Sequence, residues 1–225
     1  MAATATTLAL DPDDDQGPLE EAANTATHGV GAIAAGAALA LLVARAAWFG
    51  GAVHVASAAV FGATLVLLYG ASTAYHAIRE PRAKHVARVI DHAGIYLLIA
   101  GSYTPFTLVA LRGAWGYGLF AAVWTLALLG VAVEAAWVRR PRWLSALVYL
   151  AMGWMVVAAG SRIAQALPGT GLALLVAGGL AYSLGTPFYM MKRVRYMHAV
   201  WHLFVVAGSA CHVIAVAGWV LPGPR

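Results

Sequence analysis

Seven stretches of this chain are apolar over about 18 residues or more, and nothing else in it limits the fold so strongly. They are read at 27–48, 53–77, 89–111, 115–138, 143–162, 171–191 and 198–220. A bilayer core of roughly 30 Å takes about 20 helical residues at 1.5 Å rise per residue, so each stretch is long enough to cross. In lipid the backbone must satisfy its own hydrogen bonds, which makes the helix the form expected of each. With 62% apolar and only 10% charged residues, the chain departs widely from the roughly 25% charge of soluble domains. The expected fold is all-α: a polytopic membrane protein built as a seven-transmembrane helix bundle. Residues 20–225 form that domain and leave no room for a soluble one. Residues 1–19, with Asp11, Asp13, Asp14 and Asp15 beside Pro12 and Pro18, read as a disordered acidic tail. They have neither the basic start nor the apolar core of a cleaved signal.

Orientation follows from the basic residues, which gather in cytoplasmic loops. Arg79, Arg82, Lys84 and Arg88 follow the second run; Arg139, Arg140 and Arg142 follow the fourth; Lys192, Arg193 and Arg195 follow the sixth. Those ten share one side, against Arg45, Arg112, Arg162 and Arg225 on the other. The N-terminus is therefore expected in the cytoplasm and the C-terminus outside. Topology accounts for the net charge of +5, so no nucleic acid partner is expected. Trp48, Trp115, Trp137, Trp143 and Trp219 fall at run ends, where interfacial aromatics belong. Pro105 and Pro187 are expected to kink the third and sixth helices. Cys211, the single cysteine, lies inside the last run and has a packing role to fill.

Ionisable groups inside a span cost roughly 2.5–3.5 kcal/mol at its centre and mark function by default. The second run ends ASTAYHAIRE, the third begins RVIDHAGIYLL and the seventh begins RYMHAVWHLF. The nearest cation of each helix serves as a depth marker. His76 lies three residues before Arg79, Asp91 three after Arg88 and His198 three after Arg195, each about 4.5 Å inside the charge. His202 and Ser72 lie one turn deeper than His198 and His76, on the same helix faces. Three helices thus bring ligand-type side chains to one depth. Three imidazoles suit a catalytic Zn²⁺ site, because they leave a fourth position for a water whose pKa the ion lowers to about 7. Asp91 could bind the metal or hold its water, and the second is preferred here.

The remaining polar residues fit that set less well. His28, after Glu20, Glu21 and Asn24, reads as a helix-end cation, with an outer-layer role at the site as the alternative. His92 points about 100° away from Asp91 around the helix, so the two cannot face one metal equally. His212 lies fourteen residues beyond His198, about 21 Å along the axis, and belongs to the other leaflet. His54 and His85 read as solvated. Glu134 is an intramembrane acid with two candidate roles, a gate or outer group of the site, or a partner for a nearby arginine.

The segments EEAANTATHGVG, STAYH, DHAGIYLLIAGSYTPFTL and HAVWHLFVVAGSACH resemble, in order and spacing, those of the hemolysin III family. That family is the bacterial branch of the adiponectin and progestin receptor (PAQR) superfamily, and the resemblance runs from about Glu20 to Ala217. It implies a seven-helix, N-inside protein of the bacterial plasma membrane. In the receptor branch a zinc ion is held by one histidine at the end of the second helix and by two, four apart, on the seventh. Carried over, the resemblance implies metal ligation by His76, His198 and His202. It also implies that Asp91 holds the metal-bound water and that Ser72 is a nearby hydroxyl that steadies an oxyanion.

The expected function is an integral membrane zinc protein that hydrolyses lipid amide or ester bonds, ceramidase-like, near the cytoplasmic side. Its partners would be membrane lipids, including a ceramide-like or ester substrate that enters from the bilayer. Two alternatives stand beside it: a membrane-permeabilising cytolysin, and a lipid-homeostasis sensor whose metal is structural.

Overall fold

The computed structural model describes residues 16–137, 141–191 and 193–223. Asp11, Asp13, Asp14 and Asp15 of the expected tail lie outside the described residues, as do Arg139, Arg140, Lys192 and Arg225. Seven helices long and apolar enough to cross a membrane make up the fold. They are α1 (Pro18–Phe49), α2 (Ala52–Ala77), α3 (Pro81–Leu111), α4 (Gly113–Ala136), α5 (Arg142–Ala166), α6 (Gly169–Met190) and α7 (Met197–Val220). There is no strand among the described residues. The protein is an all-α, multi-pass membrane protein.

α1 starts well before the apolar run at 27 that announced it, because hydropathy ends where local start signals begin. Pro18 occupies its first turn and Glu20 reaches back, Oε2 accepting from the Gly17 N–H at 3.2 Å. The other oxygen of Glu20 accepts from the Tyr196 N–H at 3.0 Å. Tyr196 has a left-handed backbone (φ 64°) immediately before α7. One carboxylate therefore ties the start of α1 to the start of α7. α3 starts on Pro81 under the cap of Glu80, which accepts from the N–H groups of Ala83 (2.6 Å) and Arg82 (3.0 Å). Those two N–H groups, Ala83 first, hold the Glu80 carboxyl below its ordinary range.

Three helices change type within the span, α7 only in its last turn, where Val216–Val220 is a π turn. In α3 the regular helix ends at Pro105, and Phe106–Leu111 forms a π turn. The hydroxyls of Thr104 and Thr107 donate to the carbonyls of Ala100 and Tyr103, each at 2.9 Å. α6 runs through Pro187 without changing type. α5, expected to be continuous, breaks after Gly153 into a 3-10 turn (Met155–Ala159) and a short last helix (Gly160–Ala166). The Tyr103 hydroxyl fills the break. It lies 3.0 and 2.7 Å from the carbonyls of Met152 and Gly153 and accepts from the Val156 N–H at 2.9 Å. Backbone groups freed in lipid thus find their partner on a neighbouring helix.

α1 packs along α2, α2 along α3, α3 along α4 and α6 along α7, while α1 also meets α7. α3 is the hub: 67% of its apolar window is buried, against 17% for α6, which is left largely to lipid. Close approach of α1 and α2 needs Gly62, where a Cβ would lie 2.8 Å from the Cα of Leu39. Leu42, Phe61, Leu65 and Val216 fill one core cluster; Tyr96, Val123, Ala127 and Met152 fill a second beside α4. α5 meets α3 and α6 only sparsely. A cavity lies in that gap, bounded mainly by α3, α5, α6 and α7, with an empty volume of ≈ 1050 Å³ counting its open mouth.

Candidate metal centre

At the end of the bundle where α1, α3 and α7 begin and α2 ends, His76, His198 and His202 converge. One nitrogen of each lies within 4.8 Å of the other two. The ring centroids are 5.1 Å apart for His76 with His198, 5.1 Å for His76 with His202 and 4.6 Å for His198 with His202. α2 places the first at its last turn, and α7 stacks the other two four residues apart on its inward face. His76 and His202 are buried, and His198 is half-buried. His76 Nε2 and His198 Nδ1 are buried and have no hydrogen-bond partner. A lone pair desolvated without a partner is costly, and three imidazoles facing one point are a donor set that a transition ion such as zinc fits.

Ser72 and Asp91 are also buried, and they line the large cavity together with His198 and His202. The Ser72 hydroxyl hydrogen-bonds the Asp91 carboxyl. Every residue expected at the site from the sequence therefore sits at this end. Beyond it the cavity is walled mostly by apolar side chains such as Leu68, Ile95, Leu98, Ile99 and Val205.

Several neighbours were not legible as such. His28 is no helix-end cation. It is 3% exposed, and its ring stacks on that of His202 at 3.4 Å and 13°, with Tyr69 edge-on at 5.0 Å. The hydropathy pattern placed it at a span boundary, but α1 extends two and a half turns further toward the N-terminus and carries His28 inward. Glu21, on the same extension, holds His76 Nδ1 at 2.6 Å with one oxygen and Lys84 Nζ at 2.5 Å with the other. Lys84, counted from the sequence only as a loop cation, is 8% exposed and also reaches the Tyr75 carbonyl at 3.3 Å. Thr27 Oγ1 lies 3.0 Å from His202 Nδ1. A polar helix face at i, i+3 and i+6 could have revealed Glu21, Asn24 and Thr27.

The other titratable groups lie apart from the three histidines. His92 turns to α4, where its Nδ1 lies 3.3 Å from Glu134 Oε1, and Glu134 is 1% exposed. His212, at the other end of the cavity, is buried with Nε2 3.3 Å from the Leu175 carbonyl. His54 Nδ1 accepts from the Gly51 N–H at 3.1 Å and so caps α2. Cys211 is free and half-buried.

Comparison with known proteins places this geometry in context. The family profile described as "Haemolysin-III related" matches residues 17–213, from just ahead of α1 to Val213 in α7. The chain is 43% identical over 203 residues to "Hemolysin-3" of Bacillus cereus, covering 90% of this chain and 93% of that protein. It is 42% identical over 205 residues to "Hemolysin-3 homolog" of Bacillus subtilis (strain 168), covering 91% and 96%. A more distant similarity, 27% identity over 172 residues, links it to the human "Monocyte to macrophage differentiation factor", with 73% and 71% covered.

Proposed function

The chain belongs to the haemolysin-III related family, and we propose that this member is a zinc-dependent hydrolase of lipid amide or ester bonds. The observation that carries this reading is the convergence of three histidines, two buried and one half-buried, with Asp91 and Ser72 at one end of a mainly apolar cavity. His76, His198 and His202 would hold the ion. A zinc ion with three imidazole ligands supplies a Lewis acid and an acidified water.

The protein's own groups do the rest. Asp91, facing the cavity beside the ligands, takes the proton of the attacking water and gives it to the departing amine or alkoxide. Ser72, one turn along α2 from His76, is hydrogen-bonded to Asp91; once Asp91 has taken the proton, the Ser72 hydroxyl is free to turn its hydrogen to the oxygen on which negative charge develops. The apolar walls receive an acyl chain and keep bulk water away from the reacting carbonyl. The sparse packing of α5 against α3 and α6 favours sideways entry from the bilayer. The charge distribution supports a cytoplasmic N-terminus, which puts the histidines near the cytoplasmic face.

Metal analysis of the purified protein and of His202→Ala tests the site, and turnover of ceramide-like and ester lipids tests the activity. About one zinc per chain in wild type, lost in the variant, with lipid cleavage that needs Asp91, is expected. Equal metal in both proteins would sink the metal site, and a zinc-replete protein inert on those lipids would favour a structural metal.

The printed names of the two Bacillus relatives motivate a second reading, a membrane-permeabilising protein. Dye leakage from liposomes that survives replacement of Asp91 and the three histidines would favour it over hydrolysis.

A further inference from the structure

α1 offers no ligand among the three histidines, yet its first turns press four polar residues against them. Glu21, Asn24, Thr27 and His28 form one stripe; Asn24 is 1% exposed and the Glu21 side chain 17%. The hydrogens on this stripe can be assigned from its contacts. Glu21 faces Lys84 Nζ at 2.5 Å, so it is a carboxylate, an acceptor only. Its contact with His76 Nδ1 at 2.6 Å therefore requires the hydrogen to be on that nitrogen. Thr27 Oγ1 lies 3.0 Å from the carbonyls of both Ala23 and Asn24, two acceptors on its own helix for its one hydrogen, and we assign it to one of them. Toward His202 Nδ1, also at 3.0 Å, the same oxygen has only lone pairs left, so this nitrogen carries a hydrogen too.

We propose that Glu21 and Thr27 are positioning residues that hold His76 and His202 as Nδ1–H tautomers, so that both rings present Nε2 to the shared metal position. Independent support comes from the other side of the His76 ring, where Nε2 is buried and has no partner. A hydrogen bond from the remote nitrogen fixes ring orientation and raises the basicity of the ligating one, and losing it costs about 10–100-fold in metal affinity. The His28 ring, stacked at 3.4 Å, holds the plane of His202 at the same time. Lys84 has a part as well, since it bonds the other oxygen of Glu21 and so steadies the carboxylate. α1 is thus the outer wall of the centre.

The purpose of this wall rests on the metal reading above, but the tautomers can be measured without metal. Full-length protein in detergent, labelled with ¹⁵N-histidine and stripped of metal, reports by chemical shift which nitrogen carries each hydrogen. Assignment comes from the His76→Gln and His202→Gln variants. Nδ1–H at both rings is expected, and Nε2–H at either would overturn the proposal. Zn²⁺ affinity by competition with a chromophoric chelator supplies the second arm. Thr27→Val and Glu21→Leu should each weaken binding about 10–100-fold, while Thr27→Ser and Glu21→Gln, which keep an acceptor oxygen, restore it to within a few-fold. Unchanged affinity in both Thr27→Val and Glu21→Leu would refute it. Circular dichroism and elution profile check that each variant keeps its fold, and Thr27→Val, an isosteric change, serves if Glu21→Leu does not. A wild type that binds no zinc would defeat the metal reading while the ¹⁵N spectrum still decides the tautomers.

Discussion

The two ends of the large cavity are both polar, and they differ in how their polar atoms are arranged. At the far end, the Tyr69 hydroxyl bonds Ser209 Oγ at 2.8 Å, the Tyr182 hydroxyl lies 2.9 Å from the same oxygen, and His212 Nε2 meets the Leu175 carbonyl at 3.3 Å. These contacts tie α2, α6 and α7 together, and His212 Nδ1, which is buried without a partner, belongs to no cluster of ligand-type groups among the described residues. At the histidine end, hydrogen bonds from α1 occupy the remote nitrogens of His76 and His202, and three nitrogens converge on one point. Hydrogen bonds that join helices are cement in lipid. Three converging ligand-type groups, with His76 Nε2 and His198 Nδ1 left without partners, are a site waiting for a ligand.

Metal content should separate the two ends most sharply. His202→Ala is expected to lose bound zinc altogether, whereas His212→Ala keeps the wild-type amount; loss in both would erase the distinction. Next in size is the effect of chelation on thermal unfolding. Zinc free at about a hundred times its dissociation constant stabilises by roughly 2.7 kcal/mol. Stripping it should lower the melting temperature of wild type and of His212→Ala but leave His202→Ala unmoved.

Tyr103→Phe removes the hydroxyl that serves three backbone groups at the break in α5. A cost of about 1–2 kcal/mol in stability is expected, from buried groups left unpaired, with zinc affinity unchanged. The smallest effect belongs to Tyr69→Phe, which unties one strand of the far network. An interhelical hydrogen bond in a membrane protein averages about 0.6 kcal/mol, so its melting temperature should fall slightly while metal content stays the same. A large fall in zinc affinity from either tyrosine change would show that the two ends are coupled.

Much of this centre could be read from the chain because it stands on three helices whose ends are marked by arginines. Arg79, Arg88 and Arg195 worked as depth gauges, and a rise of 1.5 Å per residue carried them to His76, Asp91 and His198. The gauge failed for α1, where no cation marks the boundary and the polar residues resemble a solvated overhang. His28, after Glu20, Glu21 and Asn24, accordingly reads as a helix-end cation, although the structure buries it, with Asn24, beside the imidazoles. Lys84 misled in the same way, since a cation that counts toward topology is equally able to sit buried in an ion pair. The break in α5 had no local signal beyond Gly153, because its cause is a hydroxyl on α3.

By itself, the sequence determined what is periodic and local: seven crossings and the level along each helix at which His76, Asp91 and His198 lie. Helix rise and the thickness of a bilayer turn those directly into positions along the membrane normal. Rotation of each helix and choice of neighbour came only with the tertiary structure. Those depend on contacts such as Gly62 against Leu39 and Glu20 against Tyr196, made between residues far apart in the chain. For that reason the three histidines could be placed at one level from the sequence, while the wall that α1 builds around them could not.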